Sequence, residues 1–144
     1  MSKFMSALMF AAVMVAGMQL HQARAEVPPY GTWSMGKVTV KVTDCGGGLC
    51  GTIVGLKEPI SKIDGKPKVD RENPDEAKRT RPLIGLPILI DMKPAGDAKW
   101  QGAIYNPDDG KTYSATVKFS GDTLKVQGCV AGIFCKTNNF VRIN

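Results

Sequence analysis

Two short turns, each bracketed by a pair of cysteines, constrain the fold more than any other feature of the sequence. The first runs from Cys45 to Gly51 and reads CGGGLCG, with alternating valines before it and an apolar run after it. The second runs from Cys129 to Cys135 and reads CVAGIFC. Each loop is short enough to bring its two cysteines to the separation of a disulfide across a β-hairpin. The sequence therefore predicts two hairpins, each closed by a local disulfide.

The four cysteines also allow other arrangements. We expect Cys45 to pair with Cys50 and Cys129 with Cys135, each bond contributing about 2 kcal/mol in the loop-entropy model. A zinc site formed by all four is an alternative, but these spacings are longer than the two-residue spacing of zinc knuckles. A redox-active pair is disfavoured because neither segment is C-x-x-C at a helix start. We predict structural cysteines, no metal site and no cofactor.

The first 25 residues have the features of a secretory signal peptide. Lys3 precedes an apolar run over residues 7–18, and Ala23, Arg24 and Ala25 form an Ala-x-Ala cleavage site. The run is shorter than the ~20 residues that span a bilayer, and no second such run follows. We expect cleavage after Ala25, a single domain over residues 26–144 with no transmembrane segment, and a periplasmic or secreted location.

Loss of the signal peptide would remove His21, the only histidine in the sequence. The remaining chain lacks the usual general base, transition-metal ligand and pH switch. No serine lies in a nucleophile elbow, and the turn at Asp108 and Asp109 lacks the full spacing of a calcium loop. Without Lys3 and Arg24 the formal net charge falls from +6 to +4, with no dense basic run between aromatic residues. This composition favours a protein that is not an enzyme and does not bind nucleic acid.

Most of the remaining sequence alternates apolar and polar residues in short segments separated by turn residues. One segment sets Leu86, Ile88, Ile90 and Met92 at alternate positions, which predicts a strand with these side chains on one face. About eight such strands follow one another, joined mostly by tight turns. A meander of this kind hides its edges by closing on itself. We therefore predict an all-β fold, an up-and-down antiparallel eight-stranded barrel, with a twisted open sheet or a sandwich as the alternative.

Residues 57–82, which we call the charged loop, interrupt this pattern with 14 charged residues, four prolines and no aromatic residue. The run from Asn73 to Glu76 resembles a capping box with proline at the first helical position. It predicts a short helix from Pro74 to about Thr80 that ends before Pro82. A connection of this length is uncommon in a compact domain. A lid or binding loop is one interpretation, and a solvated loop without a role is the other.

Two features at the ends of the barrel sequence resemble lipocalins. Gly31 and Trp33 form a G-x-W motif at the first strand, and Arg142 lies in the last strand. In lipocalins a tryptophan of this motif lies beneath a late arginine and closes one end of the barrel. The resemblance implies the same contact between Trp33 and Arg142, worth on the order of 1 kcal/mol.

A second resemblance covers nearly all of the sequence that follows the signal peptide. Its motifs are Gly31-x-Trp33, Cys45-Gly46-Gly47, Leu49-Cys50-Gly51, Asp70-x-x-Asn73-Pro74, Arg81-Pro82-Leu83-Ile84-Gly85, Trp100-x-Gly102-x-Ile104-Tyr105-Asn106-Pro107, Asp109-Gly110-Lys111-x-Tyr113, Leu124-Lys125-Val126-x-Gly128-Cys129 and Arg142. These motifs are similar to a family of exported bacterial proteins catalogued as domain of unknown function number 2147. Phe140 departs from the tryptophan expected two residues before the arginine, and it retains an aromatic ring. The resemblance implies a small exported β-barrel-like domain and supplies no ligand or reaction.

Binding is the function class that these observations favour. An eight-stranded barrel is either filled by side chains or able to hold one small ligand. Our hypothesis is that the barrel mouth, with the charged loop near it, binds a small apolar or amphipathic molecule of the envelope. The candidate wall residues are Trp33, Leu86, Ile88, Ile90, Trp100, Tyr105, Tyr113 and Phe119. The alternative is that they fill a dry core.

A structural or stress-protective interaction domain is the hypothesis from a different class. It would dock a protein, the cell wall or an anionic envelope surface through the charged loop. The contact candidates are Arg71, Lys78, Arg79 and Arg81. The sequence leaves the ligand and the oligomeric state open.

Overall fold

The protein is a closed antiparallel β-barrel, seen in a computed structural model that describes residues 29–144. The predicted signal peptide lies outside the described residues. Eight strands follow in order: β1 (Gly31–Ser34), β2 (Val38–Asp44), β3 (Leu49–Leu56), β4 (Pro87–Pro94), β5 (Lys99–Asn106), β6 (Lys111–Ser120), β7 (Thr123–Val130) and β8 (Phe134–Arg142). Each strand pairs with the next, and β8 pairs with β1. The prediction of an eight-stranded up-and-down barrel is confirmed.

One end of the barrel is closed by aromatic packing around Trp33, which is fully buried. The Phe119 ring meets the Trp33 ring edge to face at 5.8 Å, and the Arg142 guanidinium lies 4.3 Å from the Trp33 ring centroid. Trp33 donates its indole N–H to the Pro29 carbonyl at 2.8 Å. Arg142 donates to the Tyr30 carbonyl at 2.7 Å. The structure therefore places Arg142 over Trp33, as the lipocalin resemblance implied.

Both expected disulfides are present, and the predicted pairing is confirmed. The bond between Cys45 and Cys50 closes the β2–β3 turn at the end of the barrel that Trp33 closes. The bond between Cys129 and Cys135 joins β7 and β8 at directly paired positions near the opposite end. Each bond closes a local loop, so together they stabilise two separate hairpins.

Strand β4 departs from the predicted alternation, and the prediction that Ile90 shares the inward face is wrong. Leu89 and Met92 are buried, whereas Ile90 is 37% exposed. The register between β4 and β5 shifts after Ile90, so that Asp91 and Met92 together lie opposite Gly102. Asp91 has a φ of 49°, in the left-handed region. This β-bulge returns Met92 to the inward face. Ile90 is already turned outward by an earlier register shift between β3 and β4, which lies between Pro87 and Leu89 and leaves the adjacent Ile88 and Leu89 both buried.

The bulge depends on a glycine in the neighbouring strand. A Cβ atom on Gly102 would lie 2.6 Å from the Asp91 carbonyl oxygen and 2.7 Å from that of Ile90. Backbone atoms of a paired strand cannot move away as a side chain can. The alternation of β4 is therefore broken twice, once where it pairs with β3 and once opposite Gly102 of β5, and the pattern within β4 alone misassigned Ile90.

The charged loop contains the expected short helix, a 3-10 turn over Glu76–Lys78 that is shorter than the predicted span from Pro74 to Thr80. Its N-cap is Asp75, whose carboxylate accepts from the Ala77 N–H at 3.1 Å. Asn73, the predicted cap, instead accepts the Asp75 N–H at 2.9 Å and donates its amide group to other side chains of the barrel and loop. The N-cap is therefore Asp75 and not Asn73, because the Asn73 side chain is engaged in these tertiary hydrogen bonds.

We predict that Gly102→Ala destabilises the barrel by about 1–3 kcal/mol, because the added methyl group overpacks the bulge. The free energy of unfolding in urea measures this effect. Gln101→Ala is the control, since Gln101 is the exposed neighbour of Gly102 on the same strand. Equal losses in the two variants would contradict the role assigned to the bulge.

Candidate functional site

The end of the barrel opposite Trp33 opens into a cavity of about 1150 Å³, which we call the mouth cavity. Small-molecule sites have volumes of roughly 300–1,000 Å³, so the cavity has room for one small ligand. Its apolar wall consists of Val38, Ile53, Leu56, Leu83, Ile88, Ile104, Val126 and Phe140. These residues come from six strands and from the segment that follows the charged loop.

The cavity exists because the two halves of the barrel are filled differently. In the closed half, Trp33 and Leu124 are fully buried and Phe119 packs against this core. A gap of about 10 Å³, lined in part by Leu124, lies beneath the mouth. Toward the mouth, Gly128 contributes no side chain, and a Cβ atom there would already lie 3.3 Å from Ile104. The interior is therefore a packed floor below an open mouth.

Charged residues line the rim of the mouth cavity. Glu58 lies 3.7 Å from Lys62, and Asp109 accepts hydrogen bonds from the Tyr113 hydroxyl and the Lys111 N–H. The rim lysines have no carboxylate within 4.0 Å among residues 29–144. They are Lys37, Lys57, Lys68 and Lys136. The rim therefore presents lysines without ion-pair partners above an apolar floor.

The eight candidate wall residues separate into distinct places. The structure brings Ile88, Tyr105 and Tyr113 to the mouth cavity. Leu86 is buried in the core but does not line the cavity, and Ile90 is on the outer face. The remaining candidates, in the closed half, are Trp33, Trp100 and Phe119.

Several wall residues were not among the sequence candidates. Val38, Ile53 and Val126 lie at inward positions of alternating strands, and the sequence pattern does identify them as inward. Periodicity assigns a side chain to a face but does not say whether that face is filled at a given height of the barrel. Asn138 was missed for a different reason, since a polar residue at an inward position carries no apolar signal.

A buried carboxylate fastens the charged loop to the barrel beside the mouth. Asp70 is fully buried and accepts hydrogen bonds from the Tyr105 hydroxyl at 2.6 Å, the Asn73 amide at 2.7 Å and the Arg81 Nε at 2.8 Å. The Asn73 amide also contacts the Tyr105 hydroxyl at 3.0 Å, and the Arg81 guanidinium lies 5.7 Å from the Tyr105 ring centroid. Tyr105 belongs to β5, whereas the other three residues belong to the loop.

The protonation of this cluster follows from its contacts. Burial by itself raises the pKa of Asp70, but the hydrogen bonds from Tyr105, Asn73 and Arg81 outweigh it, and the pKa lies below the ordinary aspartate value. Burial, together with the hydrogen bond to the Asp70 carboxylate, raises the pKa of Tyr105. At neutral pH the cluster therefore holds an ionised Asp70 and a neutral Tyr105.

The charged loop contacts the barrel at further points. Gly110, in the β5–β6 turn, has a φ of 70°, and a Cβ atom there would collide with the Glu72 carbonyl. Within the loop, Val69 bridges Pro82 through the backbone. Lys68 and Leu83, on either side of this bridge, line the mouth cavity. The loop thus forms one wall of the mouth and is held there by the Asp70 cluster.

The four cations predicted as surface contacts are each paired with a carboxylate. The pairs are Arg71 with Asp64 at 3.0 Å, Lys78 with Asp75 at 3.3 Å, Arg79 with Glu76 at 3.4 Å and Arg81 with Asp70 at 2.8 Å. Pairing neutralises most of the charge that these residues would offer to an anionic partner. The charged loop is therefore a weaker electrostatic contact than its composition indicates.

We predict that Tyr105→Phe destabilises the protein by about 1.5–3 kcal/mol, because a hydrogen bond to a buried charged group is lost. Urea unfolding at neutral pH measures the change. Tyr113→Phe is the matched control, since its hydroxyl also bonds a carboxylate, that of Asp109, but in an exposed position. A loss of the same size in both variants would show that the Asp70 cluster has no special role.

Acid should weaken the Asp70 cluster. Folding lowers the pKa of Asp70 from its ordinary value of 3.8, so its stabilising contribution is complete above that value and is lost as the pH falls through the folded value. We expect the difference in unfolding free energy between the wild-type protein and Asp70→Asn to shrink below about pH 4. The pKa values of Asp64 and Asp109 are also lowered. Both groups are present in the wild-type protein and in the variant, so their contributions cancel in the difference between the two unfolding free energies. Urea unfolding over an acid pH series tests this, and a constant difference would contradict it.

Comparison with known proteins agrees with this fold. The protein HP1028 from the human pathogen Helicobacter pylori, described as belonging to the lipocalin family, superposes with a TM-score of 0.68 at 23% sequence identity, covering 82% of this chain and 84% of that chain. No curated protein matches the sequence. The family model described as an uncharacterized protein conserved in bacteria (DUF2147) matches residues 31–142. The chain therefore belongs to this bacterial family, whose resemblance was already visible in its motifs.

Proposed function

We propose that the protein binds one small amphipathic molecule in the mouth cavity and does not act as an enzyme. The observation that carries this proposal is the cavity itself, about 1150 Å³ in volume, with an apolar wall and an opening to solvent. A barrel whose only task was structural would gain stability from filling this space, because a cavity costs packing energy. One half of the barrel is packed and the other is open, and this difference favours a ligand as the occupant of the mouth cavity.

The polarity of the cavity supports an amphipathic ligand. Side chains such as Ile53, Ile104 and Val126 would take up an alkyl chain, at a gain of about 0.8 kcal/mol for each buried CH₂ group. A charged head group could not enter this floor without a large desolvation cost. At the rim it would meet lysines such as Lys57 and Lys136, which have no ion-pair partner among residues 29–144. A single-chain lipid with an anionic head group fits both features.

An exported location, periplasmic or secreted, is part of this proposal. The chain has two disulfides, and bonds of this kind persist in oxidising compartments. The signal-peptide pattern in the first 25 residues supports the same proposal. In the described part of the chain, no helix is long and apolar enough to cross a membrane. A binding protein in this compartment would meet lipids of the envelope.

We predict that protein purified from the periplasm carries a ligand that native mass spectrometry detects as added mass and solvent extraction releases. The stripped protein should bind dodecanoate in isothermal titration calorimetry more tightly than dodecanol, because dodecanol lacks the anionic head group. A bare mass together with no heat of binding for either compound would contradict the proposal.

A pair of variants locates the binding site. Asn138 is half-buried and lines the mouth cavity, whereas Asn139 is the next residue on the same strand and is exposed on the outer face. Asn138→Trp should weaken dodecanoate binding at least tenfold, since the indole would occupy the cavity. Asn139→Trp makes the same change on the opposite face and should leave binding unchanged. Equal affinities for the two variants would place the ligand elsewhere.

A further inference from the structure

The hairpin between β7 and β8 ends in exposed apolar side chains, and we call residues 130–134 the apolar tip. Ile133 and Phe134 are each 76% exposed, and Val130 is 50% exposed. Strand β7 leaves β6 after Cys129, so Val130 and Phe134 pair only with each other. Large apolar side chains on a free-standing ribbon are costly in water unless they meet a partner.

The turn does not require these side chains. Ala131 and Gly132 have φ values of 51° and 68°, and the Ile133 N–H donates to the Val130 carbonyl at 3.1 Å. Two positive φ values define a type I′ turn, for which asparagine, aspartate and glycine are the preferred residues. A polar tip would thus serve the turn equally well. The apolar composition therefore needs another explanation.

A disulfide holds the ribbon immediately behind the tip. Cys129 and Cys135 occupy paired positions next to Val130 and Phe134. A cross-link at this point limits the ways in which the two strands can separate or fold over. The tip is thus held out at the edge of the barrel mouth with its apolar side chains exposed.

The tip shares the rim of the mouth cavity with lysines. Lys136 follows Phe134 by two residues on the same strand. Across the opening, the Lys57 N–H donates to the Lys37 carbonyl at 2.9 Å, which brings these two residues side by side. All three lysines and the tip line the same cavity, and none of the three pairs with a carboxylate among residues 29–144.

An apolar protrusion beside a group of unpaired lysines matches the surface of an anionic bilayer. The protrusion can enter the boundary between head groups and acyl chains, while the lysines contact lipid phosphates. A groove on another protein could accept Ile133 and Phe134, but it would not by itself account for Lys37, Lys57 and Lys136 around them. The combination therefore favours the membrane surface over a protein groove.

We infer that the apolar tip docks the barrel mouth on a bilayer that contains anionic phospholipid. The mouth cavity then opens toward the membrane. This inference does not depend on the proposed ligand, because docking involves the exposed tip and lysines, and bilayer binding is measured without any ligand.

Vesicle sedimentation tests the docking surface. The full mature chain should sediment with vesicles of phosphatidylglycerol and phosphatidylcholine and much less with vesicles of phosphatidylcholine alone, and added salt should weaken the binding. The double variant Ile133→Ser with Phe134→Ser should lose binding at least tenfold. Ile143→Ser is the control, since Ile143 is 56% exposed beside β1 at the closed end of the barrel and should contribute nothing. Unchanged binding by the double variant would overturn the inference.

A tryptophan variant provides a fluorescence test that does not depend on whether the serine double variant folds. Phe134→Trp places an indole at the tip, whereas Trp33 is fully buried and Trp100 lies in the closed half of the barrel. Phosphatidylglycerol vesicles should shift its emission to the blue, and lipids brominated on the acyl chain should quench it. An emission spectrum that vesicles do not alter would overturn the inference. So would cross-linking of the tip to one envelope protein in cells when the purified chain binds no vesicles.

Discussion

The barrel depends on a short seam between its first and last strands. Only two residue pairs join β1 and β8, Trp33 with Arg142 and Ser34 with Val141. The seam continues past the strands, where the Ile143 N–H donates to the Thr32 carbonyl at 2.9 Å. The cation of Arg142 over the Trp33 ring adds a side-chain contact at the same place. Backbone pairing and side-chain packing thus coincide where an open sheet would otherwise expose two edges.

The mouth depends on a different kind of interaction. The charged loop buries little apolar surface, and a fully buried carboxylate at Asp70 connects it to Tyr105 on the barrel. A buried charge is tolerated only when hydrogen bonds and an opposite charge compensate it, and here Asn73 and Arg81 supply both. The same cluster places Leu83 at the cavity wall. The loop is therefore best understood as part of the site, and its ion pairs hold it in that position.

The parts of the fold that were predictable rest on local signals. The paired cysteines, the turn residues and the period-two alternation lie within short stretches of sequence, so the two disulfides and the eight strands could be predicted. Ile90 was misassigned because β4 shifts register against β3 before this residue and against β5 after it. Asn73 was expected to cap a helix and instead bonds Tyr105, which lies 32 residues away. Such partners are distant in sequence, so no local pattern shows them.

The sequence by itself determined the class of fold and the inward face of most strands, because both follow from residue order along each strand. Only the tertiary structure decided which half of the barrel is filled. The volume left at any height depends on side chains that several strands bring to one level. Trp33, Phe119 and Leu124 fill one level, whereas Gly128 adds no side chain at another. The cysteine-bracketed turns illustrate the same division. Their disulfides could be predicted from the spacing of the cysteines. Only the closed barrel places the Cys45–Cys50 bond at the closed end and the apolar tip beside the open end.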